Sequence, residues 1–132
     1  MVGLMSVNKI ESLVDAIGRL NSINNPDSLA YQIRNPLLLV SFAKPGRHDV
    51  NEDGLRVFSS LLAGYKAATY DVLLKIKGLS RAGLKPTDAL DNLLGCYRIA
   101  EKAAKDNVLS FVKRALKDDS LTLRTPLSYF LE

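Results

Sequence analysis

"NEDGLRVFSSLLAGYKAATYDVLLKIKG", residues 51–78, carries the pattern that decides the fold. Leu55, Phe58, Leu61, Leu62, Tyr65, Ala68, Val72, Leu73 and Ile76 recur at steps of three and four, the spacing of one face of a helix. Asn51 offers a side-chain oxygen to the free amides of a first turn. Val50 and Leu55 flank it as a hydrophobic staple, and Gly78 suits the position after a C-cap. The stretch reads as one helix over about residues 52–77. At 1.5 Å per residue it would be about 39 Å long, comparable to the width of a small domain. The remaining helices are expected to pack around it.

Working outward, Val7, Ile10, Leu13, Val14, Ile17 and Leu20 mark a first helix, with Ser6 as its expected N-cap. "NSINNP" ends that helix with turn-forming residues. A short helix is expected from Asp27 to Gln32, and Pro36 holds Asn35 extended. For Leu37 to Phe42 a brief helix and an extended buried segment fit equally well. Thr87 is the expected cap of a helix reaching about Ala104, with Ala89, Leu90, Leu93, Cys96, Tyr97 and Ala100 inward. Asp106 is read as the cap of the next, with Val108, Leu109, Phe111, Val112, Ala115 and Leu116 inward. Thr125 and Pro126 open a last helical turn. No alternating strand pattern competes with these, so the expectation is a single all-α domain, residues 1–132, of about five helices.

The composition suits a globular chain: 47% hydrophobic, 24% charged, with a net charge of +4. Cys96 is the only cysteine, which excludes an internal disulfide and suggests a reducing, cytoplasmic setting. "MVGLMSV" lacks the basic region of a signal peptide. The apolar run Pro36 to Val40 is far shorter than the roughly 20 residues a bilayer span needs, so no membrane partner is expected. The excess positive charge is concentrated in residues 34–50, 65–87 and 107–117.

"SFAKPGRHDV", residues 41–50, contains the only histidine. One histidine and one cysteine fall short of the ligands a zinc site uses. A hydrolase built on Ser41, His48 and Asp49 would need an oxyanion hole and hydrogen-bond contacts that three such close residues rarely make. Anion binding by Lys44, Arg47 and His48 is opposed by Glu52 and Asp53 in the expected first turn. Pro45-Gly46 matches the centre of a type II turn, and the stretch reads as helix entry. Cys96 reads as a small inward-facing hydrophobe. "GLSRAGLK" has no preceding strand to make it a phosphate loop. No cofactor and no metal are expected.

Two surfaces are more informative. Lys66, Tyr70, Leu74 and Lys77 fall on the polar side of the long helix, where a bulky apolar pair suggests a protein partner or a second copy. Arg81, Lys85, Lys113, Arg114 and Lys117 are candidate phosphate contacts for nucleic acid. The leading expectation is a non-catalytic interaction module, an accessory or oligomeric subunit. Nucleic-acid backbone binding is second, and an enzyme centred on His48 is third.

Overall fold

The computed structural model describes residues 2–41 and 49–132, with side chains from Lys9 onward. Phe42, the Pro45-Gly46 turn, Lys44, Arg47 and His48 lie outside the described residues. The fold is all-α. Five α-helices are described: α1 (Val2–Leu20), α2 (Leu29–Gln32), α3 (Leu61–Ile76), α4 (Leu90–Cys96) and α5 (Lys102–Leu116). A 3-10 helix, Leu127–Leu131, follows. Isolated bridges, such as Val40 with Leu55 and Val50 with Arg56, are the only β pairing among the described residues.

The helix at the centre is α1, not the one expected over 52–77. It packs against α3, α5 and the 3-10 helix. Its Ile10, Leu13, Val14, Ala16 and Ile17 are buried in one core with residues from α3, α4, α5 and the 3-10 helix, through Phe130. Ser6, expected as the N-cap, lies inside α1, which begins at Val2.

The long helix is shorter at its N-terminal end because Asn51 caps a turn instead. Its Oδ1 accepts from the amides of Asp53 (3.0 Å) and Leu55 (2.8 Å), and Gly54 follows with φ +81°. That Asx-type turn sends Leu55 and Arg56 back beside Val40 and Val50. The helix starts only at Leu61, capped by Ser60, whose Oγ accepts from Ala63 N (3.0 Å). At 16 residues it is about 24 Å long. Its C-terminal end matches the expectation: Lys77 is the C-cap, and Gly78 adopts φ +76°.

The expected helix from Thr87 to Ala104 is broken in two. α4 ends at Cys96, Arg98 takes a left-handed conformation (φ 64°), and α5 starts after Glu101. Buried Tyr97 and Ile99 hold the break in the core, and Arg98 is tied to a distant backbone carbonyl. Asp106 is therefore not a cap. It lies inside α5 and pairs with Lys102 one turn earlier (2.7 Å). Thr125 is not a helix cap either: its Oγ1 accepts from Thr122 N (2.9 Å), and Pro126 stands at the N-cap of the 3-10 helix. The short helix after Asp27 begins at Leu29, capped by Ser28. The segment from Leu37 is not helical.

Candidate functional site

The two surfaces that could bind something flank α3 on either side of its buried row. Gly64, Ala68, Val72 and Ile76 face the core, a strict every-fourth-residue row that is narrower than the apolar face read from sequence. Helical geometry puts Leu62, Lys66 and Tyr70 on one side of that row, and Asp71 and Lys75 on the other.

On the first side a groove of about 560 Å³ runs between α1 and α3. Val14, Leu62, Tyr65, Tyr70 and Leu73 supply its apolar lining, with Glu11 and Asp15 on the α1 side and Lys66 on the α3 side. Leu62 was expected in the core, yet it is 65% exposed, and Tyr70 is 61% exposed. Both stand proud of the groove because the core takes only the narrow row. Burial pushes the Tyr65 hydroxyl above its ordinary pKa, and the nearby Asp15 carboxylate adds to the shift. Of the four residues singled out for a partner, Lys66 and Tyr70 line this groove. Leu74 is half-buried and Lys77 exposed, and neither lines it.

On the other side is a more enclosed cleft of about 360 Å³. It is assembled from residues 38–41, Arg56, Asp71 and Lys75 of α3, and residues 96–98. Asp71 Oδ2 accepts a hydrogen bond from the Tyr97 hydroxyl (2.7 Å) and pairs with Lys75. The Lys75 ammonium also lies 4.9 Å from the centre of the Tyr97 ring. Burial, then the charge of Asp71 and the hydrogen bond to it, raise the Tyr97 pKa far above that of a free phenol. Arg98 Nη2 donates to the Leu38 carbonyl (2.7 Å), and both residues are left-handed. The Arg56 guanidinium stacks 4.7 Å from the centre of the Phe58 ring.

Cys96 opens on this cleft and is half-buried rather than buried in the core. Burial raises its thiol pKa and Asp71 raises it further, against the lowering effect of Lys75. The thiol is thus held in its protonated, poorly nucleophilic form.

Behind the cleft wall sits Asn35, fully buried. Its Nδ2 donates to the carbonyls of Leu39 and Arg56 (3.0 Å each), and its Oδ1 accepts from Leu39 N (2.8 Å). This one side chain fastens the 38–41 segment to Arg56. Sequence reasoning saw only that Pro36 restricts it.

The basic positions divide between two elements. Lys113 and Arg114 meet in a shallow recess on α5 that also holds Asp106 and Asp119, two acids against two cations. Lys117 is the left-handed C-cap of α5. Arg81 and Lys85 sit on the exposed loop after α3. Among the described residues no cluster of three or more His, Cys, Asp or Glu could hold a metal ion, and no helix is long and apolar enough to cross a membrane.

Comparison with models of known families, with curated proteins and with solved structures finds no match to this chain.

Proposed function

We propose that this protein is a non-catalytic interaction module that assembles through the α1–α3 groove, with a second copy of the chain as the occupant. The observation that carries the reading is that two large exposed side chains, Leu62 and Tyr70, stand beside an apolar groove on the same face. A two-fold interface brings a patch against itself, so a surface offering both knobs and a recess can complement its own copy. Its charges fit the same arrangement. Glu11 and Asp15 edge one side and Lys66 the other, so an antiparallel partner sets Lys66 of each copy toward the acids of the other. Burying two Leu and two Tyr side chains would supply the apolar centre that such interfaces need, with the charges forming the rim.

Sedimentation equilibrium of the wild type and of Leu62→Glu and Tyr70→Glu tests this. The wild type should dimerise, and each variant should weaken the dimer at least tenfold while keeping its helical circular dichroism. A wild type that stays monomeric up to millimolar concentration, or dimers indifferent to both substitutions, would overturn it.

A further inference from the structure

The cleft on the opposite side of α3 has a different character. Among the described residues, three cationic side chains, Arg56, Lys75 and Arg98, line it against one carboxylate, that of Asp71. Asp71 is engaged by Lys75 and by the Tyr97 hydroxyl, which leaves an excess of two positive charges in one recess. Its volume of about 360 Å³ is at the small end of the range for small-molecule sites, about 300–1,000 Å³.

Both guanidinium groups are held in place before anything binds. Arg98 is anchored by its bond to the Leu38 carbonyl, and Arg56 by its stacking on Phe58. A guanidinium has five donors in a fixed fork, so one bond to a carbonyl leaves Arg98 with donors for a ligand. Preorganised donors lose little freedom on binding. The Lys75 side chain is only 14% exposed, so its charge is less screened by salt than that of a surface lysine. The wall formed by Leu38, Leu39 and Val40 is apolar, and Val40 is exposed. The cleft also concentrates local strain: Leu38 and Arg98 are both left-handed without being glycine, a conformation that L side chains disfavour.

We propose that this cleft binds a small phosphate monoester, with its dianionic oxygens on Arg56 and Arg98 and its organic part against Leu39 and Val40. The two-charge excess matches a dianion better than a single carboxylate, and guanidinium forks suit the geometry of phosphate oxygens. The role of the cleft is binding alone, and no reaction is assigned to Cys96, which opens on it. The site is independent of the groove and of any dimer.

Phenyl phosphate, inorganic phosphate and benzoate are the probes, titrated at constant ionic strength into ¹⁵N-labelled protein and followed by amide chemical shifts. Phenyl phosphate should give saturable shifts at residues 38–41 and 96–98, and bind more tightly than either of the other two. Arg98→Gly removes the guanidinium at a position whose left-handed backbone glycine adopts readily, and Arg56→Gln provides a second variant should the first lose the fold. Each should weaken phenyl phosphate binding at least tenfold, whereas Lys102→Gln on exposed α5 should leave it unchanged. Non-saturating shifts, shifts spread over all basic residues, equal binding of benzoate, or full affinity in both arginine variants would overturn the proposal.

Discussion

The backbone of α3 at Gly64 presses directly against the carbonyl of Arg34: a Cβ at position 64 would stand 1.9 Å from that oxygen. In an exposed helix interior, alanine is favoured over glycine by about 1 kcal/mol. Here the sign reverses, because the obstructing atom is backbone and both α3 and the 33–36 turn must move apart. Gly64→Ala is expected to destabilise by about 1–3 kcal/mol, the usual cost of overpacking. Gly95 in α4 has nothing within 4 Å of the same ideal position, and Gly95→Ala should stabilise by up to about 1 kcal/mol. Urea denaturation of both variants checks the opposite signs.

Asn35 should be among the most sensitive polar positions. Asn35→Ala strands the Leu39 amide and the Arg56 carbonyl, while the Leu39 carbonyl keeps only its bond from Arg56 N (2.9 Å). Each unsatisfied buried group costs about 1–3 kcal/mol, so a loss of at least about 2 kcal/mol is expected by chemical denaturation. Asn35→Asp should cost no less, since it replaces the donor facing two carbonyls with an acceptor.

The helical class was legible because three-to-four-residue periodicity survives in every major element, and the C-terminal end of α3 because Gly78 acts locally. The misread boundaries have two causes, one local and one long-range. Asn51 makes real hydrogen bonds to the amides after it, as an N-cap would, but Gly54 closes the turn and the helix waits until Leu61, behind Ser60. Arg98 breaks the chain between α4 and α5 through a bond to Leu38, sixty residues away, which no local pattern encodes. The groove was half legible. Lys66 and Tyr70 were found from their spacing, but Leu62 was assigned inward because Gly64's close approach to Arg34 could not be foreseen. The cleft draws on four separated segments and was missed altogether. One signal was present: Asp71 and Lys75 are an i,i+4 pair on the non-core side of α3, adjacent to its apolar stripe.

Cys96 should react slowly with iodoacetamide at neutral pH, its rate rising to half-maximum above the ordinary thiol value of about 8.5. The cause is burial first, with Asp71 adding to it and Lys75 opposing it. Asp71→Asn should therefore move the pH–rate curve to lower pH. It removes the neighbouring negative charge and at the same time frees the Lys75 ammonium from its partner. A curve that stays in place would mean that the carboxylate has no influence on the thiol.

Asp118 and Tyr129 join the end of α5 to the 3-10 helix: the Tyr129 hydroxyl donates to Asp118 Oδ2 at 2.8 Å. Hydrogen bonds from Ser120 and then Tyr129 hold the Asp118 carboxyl below its ordinary pKa. A depressed folded-state value stabilises the fold above the unfolded pKa of about 3.9, and the effect disappears as pH falls through the folded value. Tyr129 titrates in the opposite sense. Burial and the bond to Asp118 push its hydroxyl up to about 12, so its contribution is complete below the free phenol pKa of about 10 and is lost as pH rises through the folded value. Tyr129→Phe should raise the Asp118 pKa toward 3.9, as read by NMR titration of its carboxyl carbon, and Ser120→Ala should raise it further because Ser120 supplies the larger share. Stability of Tyr129→Phe should also fall less than that of the wild type between about pH 10 and 12, the window in which the wild-type phenol loses its advantage. An Asp118 pKa unchanged in both variants would show that these hydrogen bonds do not hold the two elements together.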